Sequence, residues 1–421
     1  MRILLVSKFL HHVGGVETYL GWEAEALTEA GHEVALVGMT IPRGQAPINS
    51  RLPTWTTPPR DFAKGSKRRV RSAAASLYSP AAGAVVAGAI AQFSPDVVHF
   101  HGTCYQLTSS VVRAATRAGT RIVLTAHEYK LLCANQTLFD DRSGTACTAC
   151  VQVSAPRRVA AALSRSCIKA SPAATVLGAL EGLVSEPTWR AADPAILAPS
   201  QFMAATLVAG GWSPERVTHL DLPWRRADQP VTRATGHGRD AIVFLGRLVP
   251  LKGPQVALAA WQRIAADHPC IRLRILGGGP AEADLRAMVA REQIPRVDFL
   301  GAVGRQVIAA ELTRALVTVH PSLCHENSPY TVRESLMAGV PAIVSALGGM
   351  PEMVTPATGY VVPAGDVDAW ARAMSTAAEP GAFDPDALVT SVTGRAMTHE
   401  AHLEVLQDTL AGRHLRQGTP R

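Results

Sequence analysis

The stretch HPSLCHENSPYTVRESLMAGVPAIVSALGGMPEM, residues 320–352, decides the fold that we predict for this chain. An apolar run, Ala315 to Val319, precedes it and predicts a buried strand. Ser328 followed by Pro329 then predicts the start of a helix, with the serine as N-cap and the proline at the first helical position. This helix is expected to end near Ala338, because a glycine and then a proline follow it.

A second apolar strand, Ala342 to Val344, follows that helix and leads to the diglycine Gly348-Gly349. The helix start and the diglycine therefore follow neighbouring parallel strands, at the sheet edge where open α/β sheets bind ligands. Amides in a first helical turn lack intrahelical partners and suit a phosphate, whereas carboxylates such as Glu326 and Glu334 accept hydrogen bonds from hydroxyls. Together these groups predict a pocket for a nucleotide sugar. The residues around the helix start are Ser328, Pro329, Tyr330, Thr331 and Val332.

Strands and helices alternate along all 421 residues, which predicts an α/β fold of doubly wound parallel sheets. We expect a first Rossmann-like domain over residues 1–222, a linker over residues 223–239 and a second Rossmann-like domain over residues 240–393. Residues 394–421 are expected to form a C-terminal helix and a tail. A hydrophobic content of 47% is enough to bury two sizeable cores.

The spacing Glu326-x7-Glu334, followed by AGVP at residues 338–341 and GGMPE at residues 348–352, resembles the signature of a known family. It is similar to that of the retaining glycosyltransferases of family 4 (glycosyl transferases group 1), which have the GT-B fold. The resemblance implies two Rossmann-like domains that face each other across a cleft, with the last helix crossing back to the first domain. It also implies metal-independent transfer of a sugar from a nucleoside diphosphate sugar to an acceptor hydroxyl, with retention of anomeric configuration. The expected acceptor is a glycan, a lipid-linked sugar or a natural-product intermediate.

Two cations follow the first predicted strand of the second domain, Ala241 to Leu245. Arg247 offers a planar fork of donors and Lys252 a point charge, and together they match a diphosphate. The order of strand, Gly-Arg, four residues and Lys-Gly is also a hallmark of the family. The resemblance assigns both cations to the leaving phosphate, Glu326 to the hydroxyls of the sugar and Glu334 to those of the ribose.

Other site residues follow from the resemblance. The diglycine Gly14-Gly15 allows a ligand to approach the backbone, and in the family this loop faces the donor phosphates and the acceptor. The segment TAHEY at residues 125–129 is similar to the histidine segment beside the transferred sugar. His127 is therefore expected to orient that sugar and to donate a hydrogen bond near the reacting carbon. The backbone at Val303 is expected to lie against the nucleotide base.

Four cysteines, Cys133, Cys147, Cys150 and Cys167, have spacings that a tetrahedral zinc ion accepts. Three interpretations stay open: a structural zinc site, reduced buried thiols and redox chemistry. We expect these residues in an insertion of the first domain at about residues 130–170. The chain has seven cysteines, an odd number, and its first residues lack a secretory signal pattern, so we expect a cytoplasmic protein.

Lysine and arginine exceed aspartate and glutamate by 41 to 34, and most of this excess lies in the first half of the chain. The densest basic run extends from Lys64 to Arg71. Such a run is usually a solvated surface; the alternative is a peripheral contact with lipid headgroups at the inner face of a membrane, or with an acceptor phosphate. A nucleic-acid partner is not expected, because aromatic residues make up 5% of the chain and none interrupts this run. The uncharged stretch Ser72 to Pro95 is too rich in alanine and glycine for a membrane span.

The pair Asp366 and Asp368 resembles a metal-diphosphate motif, but Asp366 precedes a helical pattern and is expected to be its N-cap. Two rival functions stay open beside sugar transfer. A sugar-nucleotide epimerase or hydrolase of the same fold would convert the donor when no acceptor is present. A non-catalytic partner subunit would ordinarily have lost Arg247, Lys252 or Glu326, and this chain has all three.

Overall fold

A computed structural model describes residues 1–58, 69–224, 226, 228–232 and 238–413 of the chain. The chain divides into two compact units. The first unit contains residues 1–143, 147–222 and the segment from residue 400 onward, and the second contains residues 144–146 and 223–399. Each unit has its own parallel sheet and its own hydrophobic core.

A parallel sheet of seven strands forms the centre of the first unit. Strands of residues 1–222 are β1 (Arg2–Val6), β2 (Glu33–Met39), β3 (Thr54–Thr57), β4 (Val97–Phe100), β5 (Arg121–Thr125), β6 (Phe139–Asp140), β7 (Thr145–Ala146), β8 (Ala195–Ala198) and β9 (Val217–His219). The order in the large sheet is β3-β2-β1-β4-β5-β8-β9, while β6 and β7 form a separate two-stranded sheet. The direction of winding therefore reverses between β1 and β4, the position at which doubly wound sheets bind ligands.

Helices cover this sheet and begin at serine caps in several places. The helices of residues 1–222 are α1 (Gly15–Glu29), α2 (Arg69–Leu77), α3 (Pro80–Phe93), α4 (Ser110–Arg117), α5 (Ala155–Arg165), α6 (Pro172–Ala192) and α7 (Gln201–Ala209). The side chains of Ser79, Ser171 and Ser200 each accept a hydrogen bond from the amide three residues later.

The second unit is built on a parallel sheet of six strands. Its strands are β10 (Ala241–Leu245), β11 (Arg272–Leu276), β12 (Val297–Gly301), β13 (Ala315–His320), β14 (Ala342–Ser345) and β15 (Gly359–Val362). They are ordered β12-β11-β10-β13-β14-β15, so the winding reverses between β10 and β13. Three of the central strands, β10, β13 and β14, are almost continuous apolar runs, as is typical of parallel strands that are buried on both faces.

The helices of the second unit are α8 (Pro254–Ile264), α9 (Glu282–Arg291), α10 (Arg305–Arg314), α11 (Tyr330–Met337), α12 (Met350–Met353), α13 (Val367–Ala378) and α14 (Pro385–Arg395). Trp261 of α8 and Trp370 of α13 are fully buried in its core. The Asp366 carboxylate accepts a hydrogen bond from the amide of Ala369 at 3.0 Å. Asp366 is therefore the N-cap of α13, as predicted.

Two helix boundaries differ from the prediction. Helix α11 begins at Tyr330 rather than Pro329, and Pro329 occupies the cap position, so Ser328 is not the N-cap. The Ser328 hydroxyl instead accepts a hydrogen bond from the Arg333 guanidinium, one turn into the helix. The C-terminal helix starts later than residue 394: α14 ends at Arg395, and a separate helix, α15 (His399–Leu410), follows in the first unit. Between these two helices, the Met397 carbonyl accepts a hydrogen bond from the amide of Trp224.

Within the described residues, no helix combines the length and apolar character that crossing a bilayer requires. The basic run from Lys64 to Arg71 falls mostly outside the described residues. Residues 64–68 are not described, and residues 69–71 are described as the backbone at the start of α2.

Candidate functional site

Three charged side chains follow the two neighbouring strands between which the second sheet reverses its winding. Arg247 comes directly after β10, and Lys252 ends the short 3-10 turn Pro250–Lys252 that follows. Glu326 lies in the loop after β13, the parallel neighbour of β10. Because parallel strands end at the same edge, the fold delivers both cations and the carboxylate to one place.

The Lys252 ammonium forms an ion pair with the Glu326 carboxylate. The carboxylate also accepts a hydrogen bond from the Ser322 hydroxyl at 3.1 Å. Burial alone lowers the pKa of Lys252 and raises that of Glu326, but the attraction between them outweighs burial in both cases. The net pKa of Lys252 is therefore raised and that of Glu326 lowered, so both groups are charged at neutral pH.

Arg247 and Lys252 are close enough to repel each other. Burial is the largest effect that lowers the pKa of Lys252, and the Arg247 charge lowers it further, against the pull of Glu326. Arg247 is exposed, and the Lys252 side chain is 29% exposed. Two partly solvated cations held at one strand edge favour an anion with two charges, which a diphosphate supplies.

The buried His320 joins the end of β13 to the first turn of α11. Its Nδ1 lies 3.3 Å from the Thr331 hydroxyl, and its Nε2 lies 3.0 Å from that of Thr318. Burial first, and then the charge of Lys252, lower the pKa of His320 to about 3. A neutral imidazole therefore fixes Thr331, one of the predicted site residues, to the sheet.

The diglycine Gly348-Gly349 contacts the loop that carries Glu326. Gly348 has a φ of +64°, and a Cβ atom there would lie 2.1 Å from the backbone oxygen of Glu326. The amide of Gly349 donates a hydrogen bond to that same oxygen at 2.8 Å. Any side chain at position 348 would therefore push the Glu326 loop away from α12.

Two further predicted site residues of the second unit, Glu334 and Val303, lie at the same edge of the sheet. Glu334 is exposed on α11, close enough to Arg305 for that charge to act on its carboxylate. Val303 follows β12 and is partly buried against the core cluster that contains Leu245 and Leu276. Both positions come after the carboxyl ends of strands, as the residues around Glu326 do.

In the first unit, the predicted diglycine lies at the start of α1. Gly14 and Gly15 are exposed, and Gly14 is the N-cap. Its amide donates a hydrogen bond to the Glu17 carboxylate at 2.9 Å. This bond occupies one of the amides at the helix start, because Glu17 reaches back from the first turn.

Buried polar side chains of α1, β4 and β5 form a network that reaches His127. His99 Nδ1 lies 2.6 Å from one oxygen of Glu23, and its Nε2 lies 2.8 Å from the Thr125 hydroxyl. His101 Nε2 lies 3.1 Å from the other oxygen of Glu23. His101 Nδ1 in turn lies 3.2 Å from His127 Nε2. One carboxylate of α1 is thus linked through His101 to the histidine that was predicted to contact the sugar.

The carboxylate and the imidazoles of this network differ in their charge at neutral pH. Burial raises the pKa of Glu23, but His99 and His101 together outweigh it and lower the net pKa. Burial is the main reason that the pKa of His101 is lowered and that of His127 is well below its ordinary value. At neutral pH the network therefore contains an ionised carboxylate and a neutral His127.

Two aromatic residues complete this cluster. The Tyr19 hydroxyl lies 2.9 Å from His402 Nε2, and the Tyr19 ring centroid is 5.4 Å from that of His127. The sequence did not point to Tyr19, Glu23, His99 or His402 as site residues. The spacing His-x-His at the end of β4 could have indicated a site, but Glu23 resembles any other charged residue of α1. His402 lies on α15, far away in sequence.

Within the described residues, the group of side chains close enough to hold a metal ion is Glu23, His99 and His101. Their ligand atoms lie within 4.8 Å of one another. In this structure the carboxylate of Glu23 lies against both imidazoles, 2.6 Å from His99 Nδ1 and 3.1 Å from His101 Nε2.

The four cysteines of the predicted zinc site lie in the first unit as free thiols. Burial first, and then the charges of the other three, raise the pKa of Cys150 to about 12, so the four thiols share one region. A tetrahedral zinc with bonds of about 2.3 Å needs sulfur atoms about 3.8 Å apart. Within the described residues, no three of these sulfur atoms lie within 4.8 Å of one another.

The fold is that of known GT-B glycosyltransferases. Anabaena Alr3699/HepE, crystallised in complex with UDP and glucose, has a TM-score of 0.65 and 15% identity and covers 98% of this chain and 100% of its own. Sucrose-phosphate synthase of Thermosynechococcus elongatus has a TM-score of 0.69 and 17% identity and covers 96% and 97%. At these identities the likeness establishes the fold alone. It confirms the predicted fold class.

Two family models match the two halves of the sequence. The model "Glycosyl transferase 4-like domain" matches residues 14–223, and the model "Glycosyl transferases group 1" matches residues 239–379. Both models describe glycosyltransferases of family 4, and the chain belongs to this family.

Two relatives are similar to different extents of the chain. The "GDP-mannose-dependent monoacylated alpha-(1-6)-phosphatidylinositol monomannoside mannosyltransferase" of Corynebacterium glutamicum is 37% identical over 29% of this chain and 33% of its own length. The "GDP-mannose-dependent alpha-mannosyltransferase" of Mycolicibacterium smegmatis is 26% identical over 90% of this chain and 88% of its own length. The chain spans 33% of the length of the first of these two relatives. It spans between 14% and 49% of the length of four other relatives.

Proposed function

We propose that the protein is a retaining glycosyltransferase that moves a hexose from a nucleoside diphosphate sugar to an acceptor hydroxyl. The observation that carries this proposal is the meeting of Arg247, Lys252 and Glu326 at the edge of the second sheet. Two cations match a diphosphate, and the carboxylate beside them matches sugar hydroxyls. Membership of the family supports the same activity.

Catalysis in this proposal is electrostatic. Negative charge grows on the leaving diphosphate as the bond to the anomeric carbon breaks, and Arg247 and Lys252 stabilise that charge. The ammonium of Lys252 has three donors and Glu326 uses one of them, which leaves donors for phosphate oxygens. The amides at the start of α11, from Tyr330 to Val332, add the positive end of the helix dipole.

The donor in this proposal is a GDP or UDP sugar. Two relatives are named as GDP-mannose-dependent enzymes, and Alr3699/HepE was crystallised with UDP and glucose. Glu334, exposed on α11, is assigned to the ribose hydroxyls, and the backbone of Val303 to the base. The acceptor is proposed to be a glycan, a lipid-linked sugar or a natural-product intermediate, held by the first unit near Gly14 and Gly15.

The binding test compares wild type with Arg247→Ala by isothermal titration with UDP and with GDP. Wild type should bind one of the two nucleotides, and the variant should bind it at least tenfold more weakly, because a charge-assisted bond contributes about 1.5–3 kcal/mol. Arg291→Ala is the matched control, since this arginine is also exposed in the second unit. Equal affinities in wild type and Arg247→Ala would contradict the phosphate assignment.

The activity test uses the nucleotide sugar that raises the melting temperature most in a panel of donors. Proton NMR of the glycoside product, recorded before mutarotation of any free sugar, should show the same anomeric configuration as the donor. Inversion would contradict the retaining mechanism. Conversion of the donor without any acceptor would favour the epimerase or hydrolase hypothesis instead.

We also propose a structural zinc ion for Cys133, Cys147, Cys150 and Cys167. The support is that Cys133, Cys167 and Cys147 are close enough to Cys150 to raise its pKa, after burial, so the four thiols share one region. A zinc ion would have to draw their sulfur atoms closer together than they lie in this structure. Metal analysis of the purified protein, with Cys147→Ser beside it, tests this proposal. We expect one zinc per chain in wild type and a loss in the variant, whereas a metal-free wild type would leave reduced buried thiols as the explanation.

A further inference from the structure

Helices α5 and α6 of the first unit present apolar side chains to solvent. Val176, Leu180, Leu183 and Val184 of α6 are between 38% and 44% exposed, and Leu163 of α5 is 42% exposed. The four positions on α6 are three or four residues apart or adjacent, so they share one side of the helix. These five residues, the α5–α6 face, are the majority of the large hydrophobic residues that are exposed in the described part of the chain.

The exposed charges on α5, on α6 and in the turn between them have one sign. Arg157 and Arg165 of α5 and Lys169 of the turn are exposed, and the Asp141 carboxylate accepts a hydrogen bond from the Lys169 amide. The two acidic residues between positions 155 and 190 are turned away into ion pairs: Glu181 is buried against Lys130, and Glu186 pairs with Arg158 and Arg190. Two helices that expose an apolar strip, several cations and no carboxylate of their own are typical of a surface that meets an anionic partner.

We propose that the α5–α6 face docks on an anionic lipid membrane. Its leucine and valine side chains would enter the headgroup region while Arg157, Arg165 and Lys169 contact lipid phosphates. Helix α6 has 21 residues and is therefore about 31 Å long, enough to lie along the surface. A second copy of this chain would oppose cations with cations, whereas an anionic bilayer offers charge and apolar depth together. The proposal needs no assumption about the donor.

The test is sedimentation of the full chain with vesicles of phosphatidylcholine alone and of equimolar phosphatidylcholine and phosphatidylglycerol. Wild type should sediment with the anionic vesicles, less so at high salt, and remain in solution with the neutral ones. Replacing Leu180 and Leu183 with serine should lower the partition at least tenfold. Reversing Arg165 and Lys169 to glutamate should lower it by about fivefold or more per cation.

Val307 and Val361 provide matched controls, because they are exposed to a similar degree in the second unit. Val307→Ser and Val361→Ser should sediment like wild type, and all variants should melt like wild type because the changed side chains are exposed. Equal sedimentation with both vesicle types, or no effect of the Leu180 and Leu183 changes, would overturn the proposal. A wild-type dimer that becomes monomeric in the serine variant would also overturn it, in favour of a second copy as occupant.

A second inference comes from the buried network of the first unit. The lone pair of a bare ring nitrogen is repelled by an ionised carboxylate at 3.1 Å, so His101 must present an N–H at the Nε2 that faces Glu23. A neutral His101 then has a bare Nδ1, which accepts a hydrogen bond from His127 Nε2 at 3.2 Å. His127 consequently has its only ring hydrogen on Nε2, and its Nδ1 is a bare acceptor.

We infer that Glu23 acts through His101 as a positioning residue that holds His127 in the Nε2–H tautomer. His127 would then accept a hydrogen bond from a ligand hydroxyl, rather than donate one as the sequence-based expectation had it. The identity of that ligand as a sugar rests on the proposed function, whereas the tautomer does not.

Nitrogen-15 NMR of the free protein with labelled histidine measures the tautomer directly. In wild type, His127, assigned with His127→Gln, should give a protonated Nε2 and a pyridine-type Nδ1. Glu23→Gln should shift both signals toward an average of the two tautomers, because an amide no longer demands an N–H from both neighbouring histidines. Glu25→Gln, an exposed carboxylate on the same helix, should leave them unchanged.

A protonated Nδ1 in wild type, or signals unaffected by Glu23→Gln in a protein that melts as a folded chain, would overturn the inference. One bound metal ion per chain that is lost in Glu23→Gln but kept in Cys147→Ser would also overturn it, because a cation would then occupy the imidazole nitrogens of this network. These results are obtained without donor or acceptor, so they are separate from any failure of the proposed glycosyl transfer.

Discussion

The two units hold their functional polar groups in different ways. In the first unit, Glu23 and His101 have no solvent-exposed side-chain surface, and they lie 3.1 Å apart in one buried network. In the second unit, Lys252 and Glu326 are an ion pair that remains partly exposed, and Arg247 beside them is exposed as well. Neutral, pre-bonded imidazoles suit the orientation of a neutral ligand, whereas partly solvated charges suit the capture of an anion. The comparison therefore predicts that changes in the first unit will act mainly on stability and orientation, and changes in the second mainly on phosphate binding.

Glu23→Ala is expected to have the largest effect on stability. Removing a buried carboxylate leaves His99 and His101 without their acceptor, which should cost about 3–5 kcal/mol of unfolding free energy. Chemical denaturation of the variant and of Glu25→Ala, the exposed control on the same helix, measures the difference. Equal stability of the two variants would mean that the buried network contributes little to the fold.

Lys252→Ala is expected to reduce the rate of sugar transfer by about 10² to 10³, because a preorganised charge at the leaving group is lost. The protein should still fold, since the lysine side chain is 29% exposed and Glu326 retains its bond from Ser322. The measurement is kcat/KM with the donor identified in the panel, with Arg291→Ala as the control. A variant with unimpaired transfer would remove the main difference between the two units.

Gly348→Ala is expected to cost about 1–3 kcal/mol, because alanine at a φ of +64° is strained and its Cβ would overlap the Glu326 backbone. Nucleotide affinity should fall at the same time, since the displaced loop carries Glu326. Gly394→Ala is the matched control: this glycine lies in α14 with open space around its Cβ position, so alanine there should be neutral or stabilising. Thermal melting and titration with the bound nucleotide measure both effects.

His320 should make the second unit sensitive to acid. Its pKa is about 3 in the folded protein and about 6.5 in an unfolded chain. The unfolded state therefore binds a proton that the folded state refuses, and stability falls by about 1.4 kcal/mol per pH unit as the pH drops from about 6.5 toward 3. His320→Gln should flatten this slope in denaturation measured at several pH values, while His12→Gln, an exposed control, should not. His101 and His127, whose pKa values are also lowered, give the first unit a slope of the same sign.

Much of the second unit was predictable because its signals are local. Arg247 and Lys252 follow a strand that is recognisable from its aliphatic run. Glu326, Glu334 and the diglycine Gly348-Gly349 are separated by short spacings that can be read from the sequence. The errors were local too. Ser328 resembles an N-cap in the sequence, but in the structure its hydroxyl accepts from Arg333, and the helix begins two residues later. A capping preference of about 1 kcal/mol is small enough for one competing side chain to reverse it.

The first unit was harder to predict because its site is assembled from distant residues. His127 follows a strand and is similar to a family segment, but nothing local links it to Glu23 on α1 or to Tyr19 and His402. Those contacts depend on β1, β4 and β5 lying side by side and on α15 joining the first unit. The four cysteines show the same limit, since their spacing alone left three interpretations open.

The sequence by itself determined the alternation of strands and helices, the α/β class and the positions of the charged loops. Aliphatic runs, glycines and prolines act through neighbours in the chain, so their effects can be predicted without a structure. The tertiary structure alone decided which side chains are buried together, that Lys252 faces Glu326, and that one carboxylate connects two histidines to His127. Protonation and hydrogen-bond direction depend on burial and on partners across the fold, and neither is present in the order of residues.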